Sequence, residues 1–174
     1  MVASENDYDW VGRGIYFWEY NALRAYEFAC EVRERSRIRT PKIKQPAVVG
    51  AIIDLGECLN LLDSRFIDIV KKAHEDLTFA HEEAQEPIPS NSGGPDRLLR
   101  RLDYAVIQML HTTREHRNEP AFDTVRAAFI EGEPLYKGAG FYTKNHIQIC
   151  VRNLSCVKGY FRPIGEDGRP LSFT

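Results

Sequence analysis

The residues best suited to chemistry form two groups, one near each end of this 174-residue chain. In the first group, Gly12 and Gly14 precede three aromatic residues, Tyr16, Phe17 and Trp18. Glycine lets a backbone approach a ligand closely, and clustered aromatic rings offer stacking surfaces. The same pattern is typical of a turn followed by core aromatics, so the motif alone leaves both interpretations open.

The second group lies on a strand that the sequence predicts at residues 146–152. Polar and apolar side chains alternate strictly there, so the polar ones share one face. A glycine-rich loop at residues 131–140 precedes the strand and is suited to act as a lid over that face. A half-exposed strand with solvated side chains gives the same alternation. The polar side chains are His146, Gln148 and Arg152, of which Gln148 can both donate and accept the hydrogen bonds of a ribose diol.

A third feature is a basic stretch that follows the first predicted helix. Cations at the C-terminal end of a helix complement its dipole. The same cations could contact a phosphate or a nucleic acid. The candidate nucleic-acid contacts are Arg33, Arg35, Arg37, Arg39, Lys42 and Lys44.

Several classes of protein do not fit the composition. The formal net charge of −2 argues against a protein that coats nucleic acid by charge alone. There is no P-loop and no dinucleotide-binding glycine fingerprint, and the histidines and cysteines lack the spacing of a metal site. The cysteines form no CxxC pair and fit free thiols in a reducing cytosol. No apolar run approaches the roughly 20 residues of a membrane helix, and the first ten residues do not resemble a signal peptide, so we expect a cytoplasmic protein without a membrane partner.

The length fits one domain over residues 1–174, with a loose polar tail from residue 164. We predict an α+β fold, because strands and helices do not alternate regularly, and we expect antiparallel pairing near the C-terminus. The expected elements begin with an aromatic strand that ends at residue 18, a helix capped by Asn21, and a strand at 47–55 buried on both faces. A helix capped by Asp63 or Ser64 and a helix from Asp96 to about Leu110 follow. A shorter helix at 123–129 and strands at 146–152 and 156–161 complete the chain.

Two segments resemble motifs of the ADP-ribosyltransferase superfamily. Residues 12–19, Gly-Arg-Gly-Ile-Tyr-Phe-Trp-Glu, with the helix that follows, resemble its second motif, and residues 144–153, Lys-Asn-His-Ile-Gln-Ile-Cys-Val-Arg-Asn, are similar to its third. The resemblance implies a split β-sheet core flanked by helices, with NAD as the substrate and its nicotinamide stacked on Tyr16. The implied NAD-binding residues are Gly12, Gly14, Tyr16, Phe17, Trp18 and Arg24.

Two departures from the superfamily pattern bear on activity. Its first motif is a strand whose histidine or arginine grips the NAD ribose; the eleven residues before Gly12 contain neither, so we expect that strand to be absent. Its catalytic glutamate is replaced by His146 in a gapless alignment, or by Gln148 in the register of the Glu-x-Glu variants. Neither side chain supplies the negative charge that stabilises an oxocarbenium-like transition state. Glu131 or Glu133 in the preceding loop is the candidate to supply it.

These features support three hypotheses. The first is a mono-ADP-ribosyltransferase that acts on a protein or nucleic acid, with Gln148, His146, Glu131 and Glu133 as catalytic candidates. Among bacterial members of the superfamily this implies a toxin of a toxin–antitoxin or phage-defence system, with an antitoxin protein as a partner. The second is a module of the same fold that holds a nucleotide or a protein without turnover. Both require the aromatic strand to lie beside the strand at 146–152. The third is an unrelated α+β protein with chance motif matches.

Overall fold

The structure is a computed structural model that describes residues 2–35, 43–94, 96–165 and 171. It has the mixed α+β composition that the sequence predicts. The helices of this part of the chain are α1 (Ala22–Arg35), α2 (Ser64–Ala84) and α3 (Arg101–His116). The strands are β1 (Ile15–Trp18), β2 (Gly50–Ile53), β3 (Cys58–Asn60), β4 (Asn91–Ser92), β5 (Leu99–Arg100), β6 (Thr124–Phe129), β7 (His146–Val151) and β8 (Val157–Phe161).

The largest sheet has four strands in the order β1-β7-β6-β3. Strand β7 is antiparallel to both β1 and β6, whereas β3 is parallel to β6. Strands β2 and β8 form a separate antiparallel pair, and so do β4 and β5. The two last strands of the chain therefore pair antiparallel with earlier strands, and not with each other.

One face of the four-stranded sheet packs against α2 and α3 to form the main core. Leu59 of β3, Val125 of β6 and Cys150 of β7 are fully buried there. Leu77 of α2 and Leu110 of α3 meet them from the helix side. Removal of this apolar surface from water is the main source of stability of such a layered fold.

The opposite face of β7 is covered by a smaller apolar cluster. Ile149 and Val151 are buried there with Cys156, and Phe17, Ile53 and other side chains pack against them. Strand β7 thus has apolar contacts on both faces, which explains why even its cysteine, Cys150, is buried.

The residues predicted to cap the helices are correct for two of the three helices. The Asn21 side chain accepts a hydrogen bond from the backbone N–H of Arg24 at 2.9 Å, at the start of α1. The Asp63 side chain caps α2 by accepting from the backbone N–H of Arg65 at 3.0 Å. The sequence predicts that Asp96 begins and caps α3, and this prediction is wrong, because α3 begins five residues later than Asp96. The carboxylate of Asp96 instead accepts a hydrogen bond from the backbone N–H of Gly132 at 3.3 Å.

Two predictions of secondary structure are wrong in kind or extent. The segment predicted as a helix at residues 123–129 forms strand β6 (Thr124–Phe129) instead. Val125, Ala127 and Phe129 are buried there at a spacing of two, which is the period of a strand. The strand predicted at residues 47–55 is only β2, and it is not buried on both faces, because Ile52 is 61% exposed. Strand β3 was not predicted as a separate element.

The two glycines of the first motif serve close packing. A Cβ at Gly14 would lie 2.5 Å from the sulfur of Cys150 and 2.6 Å from the carbonyl oxygen of Val151. A Cβ at Gly12, where φ is +90°, would lie 2.8 Å from the side-chain nitrogen of Gln108. The backbone of this segment therefore approaches β7 and α3 more closely than any residue with a side chain could.

The four cysteines are free thiols, as expected. Over the described ranges, no helix combines the length and the apolar character needed to cross a membrane.

Candidate functional site

Strand β1 lies directly beside β7, as the two NAD hypotheses require. In this antiparallel pair Tyr16 is opposite Cys150 and Trp18 is opposite Gln148. Residues opposite each other share a face, so Tyr16, Trp18 and Gln148 all lie on the face toward the helices. The polar side chains of β7 consequently point into the protein, whereas those of an isolated alternating strand would point into solvent.

His146 begins β7 in a buried position, with 8% of its surface exposed. Its Nδ1 lies 2.6 Å from the carbonyl oxygen of Lys144, and its Nε2 lies 2.9 Å from the amide nitrogen of Gln148. Because a carbonyl only accepts and an amide nitrogen only donates, this pairing requires a neutral imidazole with its proton on Nδ1. Burial lowers the pKa of His146 and so favours the same neutral form.

Arg24 is the most buried described residue of α1, although a charged side chain is an unusual occupant of a buried position. Its guanidinium is 5% exposed and lies 3.0 Å from the carboxylate of Glu31. It also lies 3.7 Å from Glu27 and 3.7 Å from Glu131, which is 14% exposed. A buried arginine needs such pairing, because an isolated charge in this position would be strongly destabilising.

Lys144 connects this ion-pair group to His146. Its ammonium group lies 2.9 Å from Glu31, its carbonyl accepts from His146, and its backbone N–H donates to the carbonyl of Glu131 at 3.0 Å. Burial raises the pKa of Glu31, but the hydrogen bond from Lys144 and the charges of Arg24 and Lys144 outweigh it, and the net pKa is lowered. We refer to the connected set as the Arg24 cluster: Arg24, Glu31, Glu131, Lys144, His146 and Gln148.

Aromatic rings pack around the Arg24 cluster. The ring of Phe129 stacks on His146 with centroids 5.2 Å apart and planes at 12°. Trp10 also stacks on Phe129, with ring centroids 4.3 Å apart, and the guanidinium carbon of Arg100 lies 3.4 Å from the ring centroid of Trp10. Trp18 lies 6.3 Å from His146, between ring centroids. The result is a rigid, largely apolar wall around the polar groups.

Three buried N–H donors in this region have no hydrogen-bond partner among the described residues. They are Nε1 of Trp18, Nε of Arg24 and Nε of Arg100. An unpaired buried donor is costly, on the order of 1–3 kcal/mol. A ligand with acceptor oxygens that reached them would remove part of that cost.

An open cleft of about 400 Å³ lies at the end of the sheet beside the cluster. This volume is within the range that small ligands occupy. His146 and Phe129 contribute to both the cleft and the cluster. Glu19 lines the cleft and forms a two-bond ion pair with Arg126, with N···O distances of 2.6 and 3.1 Å, which ties the end of β1 to β6 across β7. The other lining residues are Tyr20, Asn21, Ala128, Ile130, Asn145 and Ile147.

The structure brings five predicted site residues together: His146, Gln148, Glu131, Trp18 and Arg24. This grouping does not include the remaining candidates. Tyr16 lies two residues before Trp18 on β1, and Gly12 and Gly14 precede that strand. Phe17 lies on the opposite face of the sheet, and Glu133 lies on the loop.

Tyr16 is half-buried against the main core, next to Trp18 on the same face of β1. Its hydroxyl donates to the carbonyl of Gly12 at 2.6 Å. Burial raises its pKa, so the phenol is neutral. Tyr16 is thus near the Arg24 cluster without being part of it, and its hydroxyl is already used.

The other candidates lie apart from the cluster. Phe17 packs in the smaller apolar cluster on the opposite face of the sheet. Glu133 is exposed, and its backbone N–H and carbonyl bind Thr143 across the base of the loop. Of the basic stretch, Arg33 and Lys44 are exposed. The side chain of Arg35 and all of Arg37, Arg39 and Lys42 lie outside the described residues.

Several residues of the site were not found by sequence reasoning. Glu31 could have been found, because it lies seven residues after Arg24 and therefore on the same side of α1. Phe129 was missed because its segment was predicted to be helical. The stacking of Trp10 on Phe129 joins residues 119 positions apart, and no local pattern indicates it.

No family model, no curated protein and no solved structure matches this chain. The interpretation of the site therefore rests on its own residues.

Proposed function

We propose that this chain binds NAD at the Arg24 cluster and transfers ADP-ribose to a macromolecular acceptor, a protein or a nucleic acid. The observation that carries the proposal is the pairing of β1 with β7. It places Trp18 opposite Gln148 and gathers Arg24, Glu131 and His146 at the same end of the sheet. The motif order in the sequence and an α+β fold with one four-stranded sheet and two separate two-stranded sheets support an ADP-ribosyltransferase-like core.

The reaction breaks the bond between C1′ of the nicotinamide ribose and the nicotinamide nitrogen, and the electron pair leaves with nicotinamide. A lone pair of the acceptor forms the new bond to C1′, and the acceptor gives up a proton. Positive charge develops on the ribose as the bond breaks, and a nearby carboxylate stabilises it. Glu131 is the best-placed carboxylate, because it is fixed beside the cluster and Glu133 is exposed on the loop.

Gln148 and His146 take the binding role in this proposal. The amide of Gln148 holds a ribose hydroxyl, and neutral His146 orients that amide through its Nε2. The rings of Trp18 and Tyr16, on the same face of β1, provide the surface for nicotinamide. The open cleft beside His146 gives access for the acceptor.

A binding module without turnover is the second candidate, and one observation favours it. The helix-facing side of β7 presents His146, Gln148 and Cys150 and no carboxylate. The nearest candidate, Glu131, is partly neutralised by Arg24 at 3.7 Å. Such a site would hold a nucleotide or a protein partner without cleaving NAD.

The motif resemblance also proposes a cellular role. Small bacterial proteins with these motifs serve as toxins of toxin–antitoxin or phage-defence systems, which would make an antitoxin protein the natural partner and the cytoplasm the place of action. Arg33 and Lys44 are the described basic residues available to a nucleic-acid acceptor.

The deciding experiment is incubation of the full chain with NAD labelled separately in nicotinamide and in adenine. An enzyme releases labelled nicotinamide and transfers the adenine label to cellular RNA, DNA or protein, whereas a module binds NAD in calorimetry without release. Gln148→Ala and Glu131→Gln should each lower release at least tenfold. Glu133→Gln is the matched control and should leave release unchanged. If the chain neither releases nicotinamide nor binds NAD, both candidate functions are rejected.

A further inference from the structure

A second group of polar side chains lies at the opposite end of β7, away from the Arg24 cluster. Arg152 immediately follows the strand and is half-buried. Its guanidinium makes no hydrogen bond and no ion pair with any residue that the structure describes, and its Nη1 is fully enclosed. An arginine in such a position normally has a carboxylate or another acceptor beside it.

His111 of α3 lies in the same place. Both of its ring nitrogens are buried and unpartnered among the described residues. Its ring meets the edge of Phe122 at 6.2 Å between centroids, and the backbone N–H of Arg152 donates to the carbonyl of Asp123, the next residue, at 2.9 Å. Gln108, one turn earlier on α3, has a buried amide nitrogen that is also unpartnered. A Cβ at Gly12 would lie 2.8 Å from that amide nitrogen, and the carbonyl of Gly12 lies 3.8 Å from the sulfur of Cys150, two residues before Arg152. Three side chains with unused donors therefore lie toward the same end of β7.

Among the residues that the structure describes, no carboxylate pairs with Arg152, so the charge at this place is positive. Arg114 contacts Phe122 from the same helix, but it pairs with Glu119 at 3.3 Å and donates to the carbonyl of Pro120. The carboxylate of Asp123 is occupied by Asn153 at 2.7 Å and by the backbone of Glu57.

The pKa values of His111 and Arg152 are both lowered in this environment. Burial, and then the charges of Arg152 and Arg114, lower the pKa of His111 to about 3. Burial also lowers the pKa of Arg152. Asp9, whose Oδ2 is buried without a hydrogen-bond partner among the described residues, raises the pKa of Tyr16 and Cys150. The shifts of His111 and Arg152 have other causes.

We propose that Arg152, His111 and Gln108 form an anion site that takes a phosphate group, either inorganic phosphate or the phosphate of a nucleotide. The planar guanidinium presents paired N–H groups that match an oxyanion, the neutral imidazole donates one N–H, and the amide of Gln108 donates another. This site is independent of the proposed NAD site, because its residues and those of the Arg24 cluster lie at opposite ends of β7.

The test is a titration of the full chain, labelled with ¹³C-histidine, at pH 7 and constant ionic strength set with sodium chloride. Sodium phosphate and AMP are the probes, and the His111 resonance is followed with the exposed His74 as an internal reference. We expect a saturable shift of His111 alone. Equal affinity for the two probes indicates recognition of the bare phosphate, and tighter binding of AMP indicates a nucleotide; either result supports the site.

Arg152→Gln should weaken phosphate binding about tenfold or more, because it removes a charged donor. Arg117→Gln removes the same charge from an exposed position just after α3 and should bind phosphate like the wild type. If Arg152→Gln does not fold, His111→Gln is read instead by the rise in Tm that phosphate produces in the wild type and should not produce in the variant. A His111 shift no larger than with chloride, or a variant that binds as tightly as the wild type, overturns the proposal.

Discussion

The buried guanidinium of Arg24 lies 3.7 Å from the carboxylate of Glu131, which joins helix α1 to the loop that precedes β7. The same guanidinium binds Glu31 at 3.0 Å, and Glu31 in turn binds Lys144 at the end of that loop. Helix α1 and both ends of the loop are thus connected through one buried side chain. In the proposed site, this arrangement holds the carboxylate of Glu131 beside the start of β7 without placing it on that strand.

Replacement of Arg24 by glutamine should destabilise the fold strongly. The change leaves Glu31 and Glu131 without their shared cation in a largely buried position, and we expect a loss of about 2–4 kcal/mol in the free energy of unfolding. Urea unfolding measures the loss. Arg33→Gln on the exposed part of the same helix is the control and should change stability by less than about 0.5 kcal/mol. Equal midpoints for the two variants would show that Arg24 is solvated.

The contribution of Glu31 should depend on pH. Its pKa is lowered in the folded chain relative to the ordinary value of 4.5. The folded state therefore prefers the ionised carboxylate, so its stabilisation is complete above the unfolded pKa and is lost as the pH falls through the folded pKa. Glu31→Gln should be less stable than the wild type at pH 7, and the difference should shrink steadily below about pH 4.5. Urea midpoints measured from pH 7 to pH 3 check this; a difference that is constant with pH contradicts it.

His146 should remain neutral at a pH where an exposed histidine is charged. Its pKa is lowered from 6.5 by burial, so the unfolded chain takes up a proton before the folded chain does. This group therefore costs stability as the pH falls from about 6.5 through its folded pKa, and has no effect above that range. Long-range ¹H–¹⁵N spectra at pH 6 should show a proton on Nδ1 and a bare Nε2. A protonated Nε2 on His146 at this pH would remove the basis for its contact with Gln148.

The sequence predicted the parts of the fold that local patterns determine. The caps of α1 and α2 were correct because Asn21 and Asp63 precede periodic helices and satisfy their first N–H groups. The strand at His146 was correct because a strict alternation has no helical interpretation. Strand β6 was read as a helix because Val125, Ala127 and Phe129 occupy a short apolar run, in which a period of two is easily confused with a helix.

The site could be predicted only in part, because its geometry depends on distant pairings. The motifs identified His146, Gln148 and Trp18, and the structure places them together through the register of β1 and β7. The residues that surround these side chains come from other parts of the chain and are determined by the packing of the fold. The sequence pattern is typical of a solvated polar face for β7, but the rings of Phe129 and Trp18 pack against His146 on that face. Alternation alone therefore does not indicate that His146 is buried.

A substitution at Gly14 tests whether this glycine is needed for close packing against β7 or for close approach of a ligand. In the structure, a Cβ at this position would overlap the sulfur of Cys150 and the carbonyl of Val151, and the backbone carbonyl cannot move aside without breaking the β1–β7 pairing. Gly14→Ala should therefore lower the free energy of unfolding by about 3 kcal/mol. Gly140→Ala is the matched control, because nothing lies within 4 Å of its Cβ position, and its midpoint should stay within about 0.5 kcal/mol of the wild type. If Gly14→Ala instead unfolds like the wild type and loses only NAD binding, the glycine serves close approach of the ligand, as the motif resemblance implies, and β1 lies further from β7 than the structure has it.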